Sequence, residues 1–215
     1  MLGNIAVLVL AAGSSSRFGS CKLLAEYQGK ALLRYALDAA RSIAPERVYL
    51  LTGAWHQTLL EAEQSDSLLK DVQVLHHRDW AQGMGSSIAK GVAHLPSDTD
   101  AVLIMLADQP LLTIADYQQL IAQLDVSAEE QGSKSPDISC AFYANKRGAP
   151  ALLKSACFAD LIALSGDRGA KQVLYDTRYK TVELKLEKAA IDIDHVQTLA
   201  QLQQLTSTTD FSHHE

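Results

Sequence analysis

The segment Leu10-Ala11-Ala12-Gly13-Ser14-Ser15-Ser16-Arg17-Phe18-Gly19-Ser20-Cys21-Lys22 combines small residues with two cations, Arg17 and Lys22. Small side chains let backbone N–H groups converge on an anion, and the guanidinium and ammonium add positive charge beside them. This is chemistry for holding phosphate. The spacing fits neither the G-K-[S/T] loop of P-loop proteins nor G-x-G-x-x-G, and a solvated Gly/Ser turn is the alternative reading. A second group is Leu106-Ala107-Asp108-Gln109-Pro110, where Asp108 follows an apolar run. A carboxylate at the end of a buried strand lies at the sheet edge where open α/β folds bind ligands, and its hard oxygens suit Mg²⁺. Otherwise Asp108 starts a turn before Pro110. Third is Ile191-Asp192-Ile193-Asp194-His195. Extended backbone there puts Asp192 and Asp194 on one face, an arrangement that invites a cation; Asp194 reads equally as the cap of the helix that follows.

Gly83-Met84-Gly85-Ser86-Ser87 offers close backbone approach, with Ser86 and Ser87 expected to open a helix whose free N–H groups need partners such as a phosphate or a base edge. Arg147-Gly148-Ala149-Pro150 and Ser165-Gly166-Asp167-Arg168-Gly169-Ala170-Lys171 bring further cations among glycines. Such cations can hold a phosphate monoester, and surface solvation is the plain alternative for Lys171.

Positioning these groups requires a scaffold. Ile5 to Leu10 and Ala101 to Ala107 are short continuous apolar runs, the pattern of strands buried on both faces of a parallel sheet. Strands are also expected at Val48 to Thr52, Val72 to Leu75, Ile138 to Tyr143 and Thr181 to Leu186. Helices are expected at Ala31 to Ile43, Trp55 to Glu63, Ser86 to Leu95, Ile114 to Leu124 (capped by Thr113) and Ala151 to Leu164. This alternation predicts one α/β domain, residues 1–206, around a mostly parallel sheet, with 207–215 as a frayed tail.

Composition narrows the function classes. The 215 residues carry 19 Lys+Arg against 25 Asp+Glu, a net charge of −6 that argues against a nucleic-acid binder. Three separated cysteines give no metal or disulfide spacing, and the seven histidines show no H-E-x-x-H pattern. No G-x-S-x-G elbow is present. The apolar runs are short of a membrane span and the first residues do not read as a secretory signal, so a cytoplasmic protein is expected.

The string L-A-A-G-x-S-x-R-x-G-x-x-K, met at Leu10, Ala11, Ala12, Gly13, Ser15, Arg17, Gly19 and Lys22, resembles the signature loop of the molybdenum cofactor nucleotidyltransferase family, the MobA-like group. The resemblance implies a single Rossmann-like three-layer α/β domain of the nucleotide-diphospho-sugar transferase type. It implies that Leu10 to Ser15, with Arg17 and Lys22, wrap the nucleotide phosphates, that Gly83, Ser86 and Ser87 help bind the nucleotide, and that Asp108 ligates Mg²⁺. Asp194 corresponds to a second metal-facing Asp, although His195-Val196-Gln197 departs from the family's string. Arg147, Gly148, Pro150, Asp167 and Arg168 fall where the acceptor enters. The Gly-Met-x-x-Ser pattern is most similar to the branch using CTP and molybdopterin, with transient contact to a client molybdoenzyme. GTP, another phosphorylated acceptor such as a sugar phosphate, or a non-catalytic carrier of the molybdenum cofactor are the alternatives.

Overall fold

The computed structural model describes residues 2–125, 135–193 and 196–209. In chain order its elements are β1 (Ile5–Ala11), a small hairpin of β2 (Glu26–Tyr27) and β3 (Lys30–Ala31), α1 (Leu32–Ile43), β4 (Val48–Thr52), α2 (His56–Asp66), β5 (Gln73–His76), α3 (Met84–Val92), β6 (Ala101–Leu106) and α4 (Ile114–Leu124). They continue with β7 (Ile138–Tyr143), β8 (Lys146–Lys154), α5 (Phe158–Ile162), α6 (Lys171–Leu174), β9 (Thr181–Lys185) and α7 (Val196–Thr209). Seven strands form one sheet in the order β5-β4-β1-β6-β8-β7-β9. All its pairings are parallel except those of β8 with β6 and β7.

The continuous apolar runs behave as expected of two-faced strands. Val7, Val9 and Ala11 of β1 enter one core cluster with Leu33, Leu37, Leu59 and Tyr117 of α1, α2 and α4. Ala6, Leu8 and Leu10 enter the other with Ile88, Leu161 and Val173 of α3, α5 and α6. Alternate side chains point to opposite faces of a strand, so burial on both faces demands a run without polar interruption. The helices thus form two outer layers around the sheet. Thr113 opens α4 as the sequence indicates: its backbone N–H donates to the Asp116 carboxylate at 2.7 Å, a reciprocal capping arrangement. Asp116 also pairs with Lys188 at 2.6 Å. Burial alone would raise its pKa, but Lys188 and Thr113 outweigh it and hold the carboxyl below its usual range. Among the described residues no helix is long and apolar enough to cross a membrane.

The expected helix from Ala151 to Leu164 is a correction. Residues up to Lys154 belong to β8, followed by a short 3-10 turn and only five residues of α5. The Ala/Leu-rich stretch has good helix propensity, but Leu152 packs in one core and Ala151 and Leu153 in the other, and this two-residue period between β6 and β7 prevails. The last helix continues to Thr209, three residues into the segment read as a tail.

Candidate nucleotide-binding site

Strand order reverses around β1: the chain leaves β1 for β4 on one side and later returns to β6 on the other. Such a switch point opens a crevice beyond the carboxyl ends of the strands, and the chemistry-bearing segments converge there. The loop after β1 is shaped by left-handed backbone at Ser15 (φ 51°) and Gly19 (φ 79°), with Phe18 N–H donating to Ser15 O at 2.9 Å. It is anchored from the turn after β4, where Ala54 N–H donates to Ala12 O at 3.2 Å and the Trp55 indole N–H to Ser14 O at 2.8 Å. A 3-10 turn, Lys22–Leu24, then carries Lys22 back across the crevice to Asp108. The Lys22 Nζ to Asp108 Oδ2 distance is 2.6 Å, with the two side chains only 13% and 18% exposed.

These groups wall a cavity of about 500 Å³, a size ordinary for small-molecule sites. Of the residues singled out from the sequence, Leu10, Ala11, Ala12, Gly13, Ser14, Ser15, Arg17, Lys22, Gly83, Ser87, Asp108 and Asp167 line it. Asp192 joins them, together with Trp80 and Met84. Asp192 was visible in the sequence as the partner of Asp194 on an extended face; Asp194 itself lies outside the described residues. Ile193 N–H donates to Asp108 O at 3.4 Å, which brings the Asp192 segment against the end of β6. Burial first, then the negative charges of Asp192 and Asp108, push the nearby Tyr143 phenol above its usual pKa. Two hard carboxylates, Asp108 and Asp192, and two cations, Arg17 and Lys22, therefore line one cavity, with Lys22 in direct contact with Asp108. Among the described residues no set of three or more His, Cys, Asp or Glu is gathered for a metal. One or two carboxylates, completed by water and substrate phosphate, are the donor set that Mg²⁺ accepts.

Helix α3 starts at Met84, two residues before the start expected from Ser86, with Gly83 as its N-cap. Ser86 therefore sits inside the first turn, where its hydroxyl donates to Gly83 O at 2.7 Å and meets His77 Nε2 at 3.0 Å. Since the hydroxyl proton is committed to Gly83, His77 Nε2 is the donor in the second bond. Ser87, only 4% exposed, faces the cavity instead. Gly83 has φ 103° and ψ 175°, a region essentially confined to glycine, and a Cβ there would collide with the Asp167 carboxylate and lie 2.5 Å from Gly166 C. Gly85 N–H donates to Gly166 O at 2.7 Å. The glycines thus let the 165–171 loop dock on the start of α3 and set Asp167 at the cavity. Gly83→Ala is expected to cost about 3 kcal/mol through strain and collision, read as a lowered denaturant midpoint with weakened nucleotide binding.

Burial of His77, only partly opposed by Asp79 and reinforced by Lys90 and His76, lowers its pKa below 6.5. The unfolded chain then binds the proton more readily, so this contribution to stability is fully present above about pH 6.5 and is lost as pH falls from there through the lower folded-state value. His56, lowered by burial and by the stacked His76 at 3.8 Å, acts in the same direction. The expected result is a thermal midpoint that declines from pH 7 to pH 5, with a shallower decline in His77→Gln, which keeps an N–H for Ser86.

The structure does not bring every candidate to the cavity. Arg147, Gly148 and Pro150 lie in β8 rather than in a loop. The Arg147 guanidinium donates to Glu183 Oε1 at 2.7 Å and Leu174 O at 2.6 Å, with its face over Tyr175. Gly148 accommodates the Tyr143 ring, whose Cζ would lie 2.9 Å from an added Cβ. Arg168 and Lys171 are exposed and stand off the cavity wall.

Comparison with known proteins bears on the family and the fold. The family model described as the MobA-like NTP transferase domain matches residues 7–182. The bifunctional protein GlmU of Mycobacterium leprae (strain Br4923) is 34% identical over 125 residues, 56% of this chain and 25% of the relative. The chain therefore spans about a quarter of the length of such relatives. The crystal structure of Rv0371c from Mycobacterium tuberculosis H37Rv superposes with a TM-score of 0.74 at 25% identity, covering 94% of this chain and 99% of that one. A complex of Rv0371c with manganese gives 0.70 at 23% identity, covering 94% and 99%. The family match takes in the loop after β1, Asp108 and the loop docked on α3, and on that span the chain belongs to the MobA-like NTP transferase family.

Proposed function

We propose that the chain transfers a nucleoside monophosphate from a nucleoside triphosphate to a terminal phosphate and releases pyrophosphate. The observation that carries this reading is the Lys22–Asp108 contact of 2.6 Å at the meeting point of the anion loop and the carboxylate edge, inside one cavity. An acceptor phosphate oxygen attacks the α-phosphorus and the bond from that phosphorus to the bridging oxygen of the pyrophosphate breaks. No protein nucleophile is required, so the chain acts by positioning and charge neutralisation. Arg17, Lys22 and the loop N–H groups receive the charge that develops on the leaving pyrophosphate. Ser87 and the Gly83 turn hold the nucleoside end, beside the indole of Trp80.

Asp108 and Asp192 would hold a divalent cation, Mg²⁺ in this reading; Asp194 is two residues further on. Such an ion would supply positive charge to offset that of the substrate phosphates. Molybdopterin or its molybdenum-loaded form is the proposed acceptor and CTP the proposed donor, on the strength of the Gly-Met-x-x-Ser segment. Asp167 is the acceptor-side group best supported by its place on the cavity wall. Arg168 keeps an acceptor role only by moving inward, and Arg147 acts indirectly through β8.

A thermal-shift panel of the four nucleoside triphosphates with Mg²⁺ tests the donor, since a ligand of the native state raises the midpoint by mass action. The largest rise is expected with CTP. A larger rise with GTP would reassign the base, and no rise with any triphosphate would remove the nucleotide reading.

A further inference from the structure

We propose that Gln109 is a positioning residue that fixes Asp192 beside Asp108 and thereby sets how tightly the site holds a divalent cation. The inference rests on the metal reading above. Gln109 is 4% exposed, and its Nε2 donates to Ala189 O at 2.7 Å and to Asp192 Oδ1 at 3.2 Å. Both partners are acceptors, so the amide has one workable orientation: turned over, it would set its oxygen against two others. In the working orientation Oε1 is buried with no partner among the described residues. The side chain is held by its donor bonds alone.

The arrangement answers an electrostatic problem. Two carboxylates beside one another repel, and each needs a counterweight to stay in place without a metal. Lys22 supplies one for Asp108 at 2.6 Å. The amide dipole of Gln109 supplies one for Asp192. Residues 191–193 belong to neither helix nor strand, so regular backbone hydrogen bonding does not set their position. Gln109 follows Asp108 directly in sequence, and its bond to Asp192, with the Ile193 N–H bond to Asp108 O, ties this irregular segment to the turn after β6 at two points, while its bond to Ala189 O holds the 3-10 turn just before it. Partners that orient a metal ligand tune the affinity of the site even though they never touch the ion.

The test is Mn²⁺ binding to the full chain without nucleotide, followed by the electron paramagnetic resonance signal of the free ion. The set comprises the native chain, Gln109→Met, Gln109→Asn, Asp192→Asn, the Gln109→Met/Asp192→Asn double variant and Asp108→Asn. Both Gln109 variants are expected to weaken Mn²⁺ binding about tenfold, and Gln109→Met is expected to add nothing once Asp192 is Asn. That lack of additivity separates positioning through Asp192 from general loosening of the fold. If Gln109→Met fails to fold, Gln109→Asn keeps a polar amide, too short to reach Asp192, and carries the same expectation. Native Mn²⁺ affinity in the Gln109 variants while Asp192→Asn weakens it, or full additivity in the double variant, would overturn the proposal and leave the metal reading standing. Unchanged binding in both Asp108→Asn and Asp192→Asn would sink the metal reading and the proposal with it.

Discussion

Asp108→Asn is expected to lower kcat/KM for nucleotidyl transfer by roughly a hundred- to a thousandfold, the scale seen when one preorganised electrostatic group is removed from an active site. The substitution keeps volume and one oxygen but removes the charge from the end of β6. Two consequences follow from the geometry. Lys22 loses the carboxylate that holds its ammonium at 2.6 Å over the cavity, and the carboxylate pair is reduced to Asp192. The defect should therefore appear as a raised metal requirement, measured by titrating Mg²⁺ at fixed nucleotide. Triphosphate binding without metal is expected to persist, because the loop from Gly13 to Lys22 is anchored independently by Ala54 and Trp55.

Lys22→Met should produce the opposite signature. The methionine keeps most of the aliphatic stem but removes the cation proposed to meet the leaving pyrophosphate, and kcat is expected to fall by about a hundredfold. Triphosphate affinity should fall with it, while Mn²⁺ binding in the absence of nucleotide should be unchanged or tighter, since a competing cation has left Asp108. Lys22→Arg restores the charge in a planar, bulkier form and should recover only part of the loss. The two variants together assign the metal end and the phosphate end of the cavity. If both lost the same function to the same degree, the division of labour drawn from the Lys22–Asp108 contact would be wrong.

The parts of this site legible in the sequence were those encoded by neighbouring residues. The loop proposed to hold phosphate is one uninterrupted segment after a run whose lack of polar residues already marked a two-faced strand, so its place at the sheet edge could be read from the sequence. Asp108 was legible for the same reason. What escaped was set by tertiary packing. The stretch beginning at Ala151 has the composition of a helix and becomes a central strand because Leu152 and its neighbours fill both cores at once. Arg147 looked like a phosphate ligand beside a glycine, yet its guanidinium is taken up by Glu183 and the carbonyl of Leu174. Ser86 and Ser87 are adjacent in sequence, but the helix begins early enough that one hydroxyl closes back on Gly83 and the other faces the cavity. Asp192 lines the cavity, and Asp194, the residue the sequence reading favoured for metal, lies outside the described residues. The link from Gln109 to Asp192 spans 83 positions of sequence, and no local pattern carries such information.

The most direct test of the central claim is a product measurement: the purified chain with Mg²⁺, CTP and a molybdopterin-type phosphate monoester, assayed for released pyrophosphate with and without the acceptor. The expected result is pyrophosphate formed only when acceptor and metal are both present, one for each nucleotide transferred. Release of inorganic phosphate instead, or no pyrophosphate with any nucleoside triphosphate and a range of phosphorylated acceptors, would contradict nucleotidyl transfer at this site.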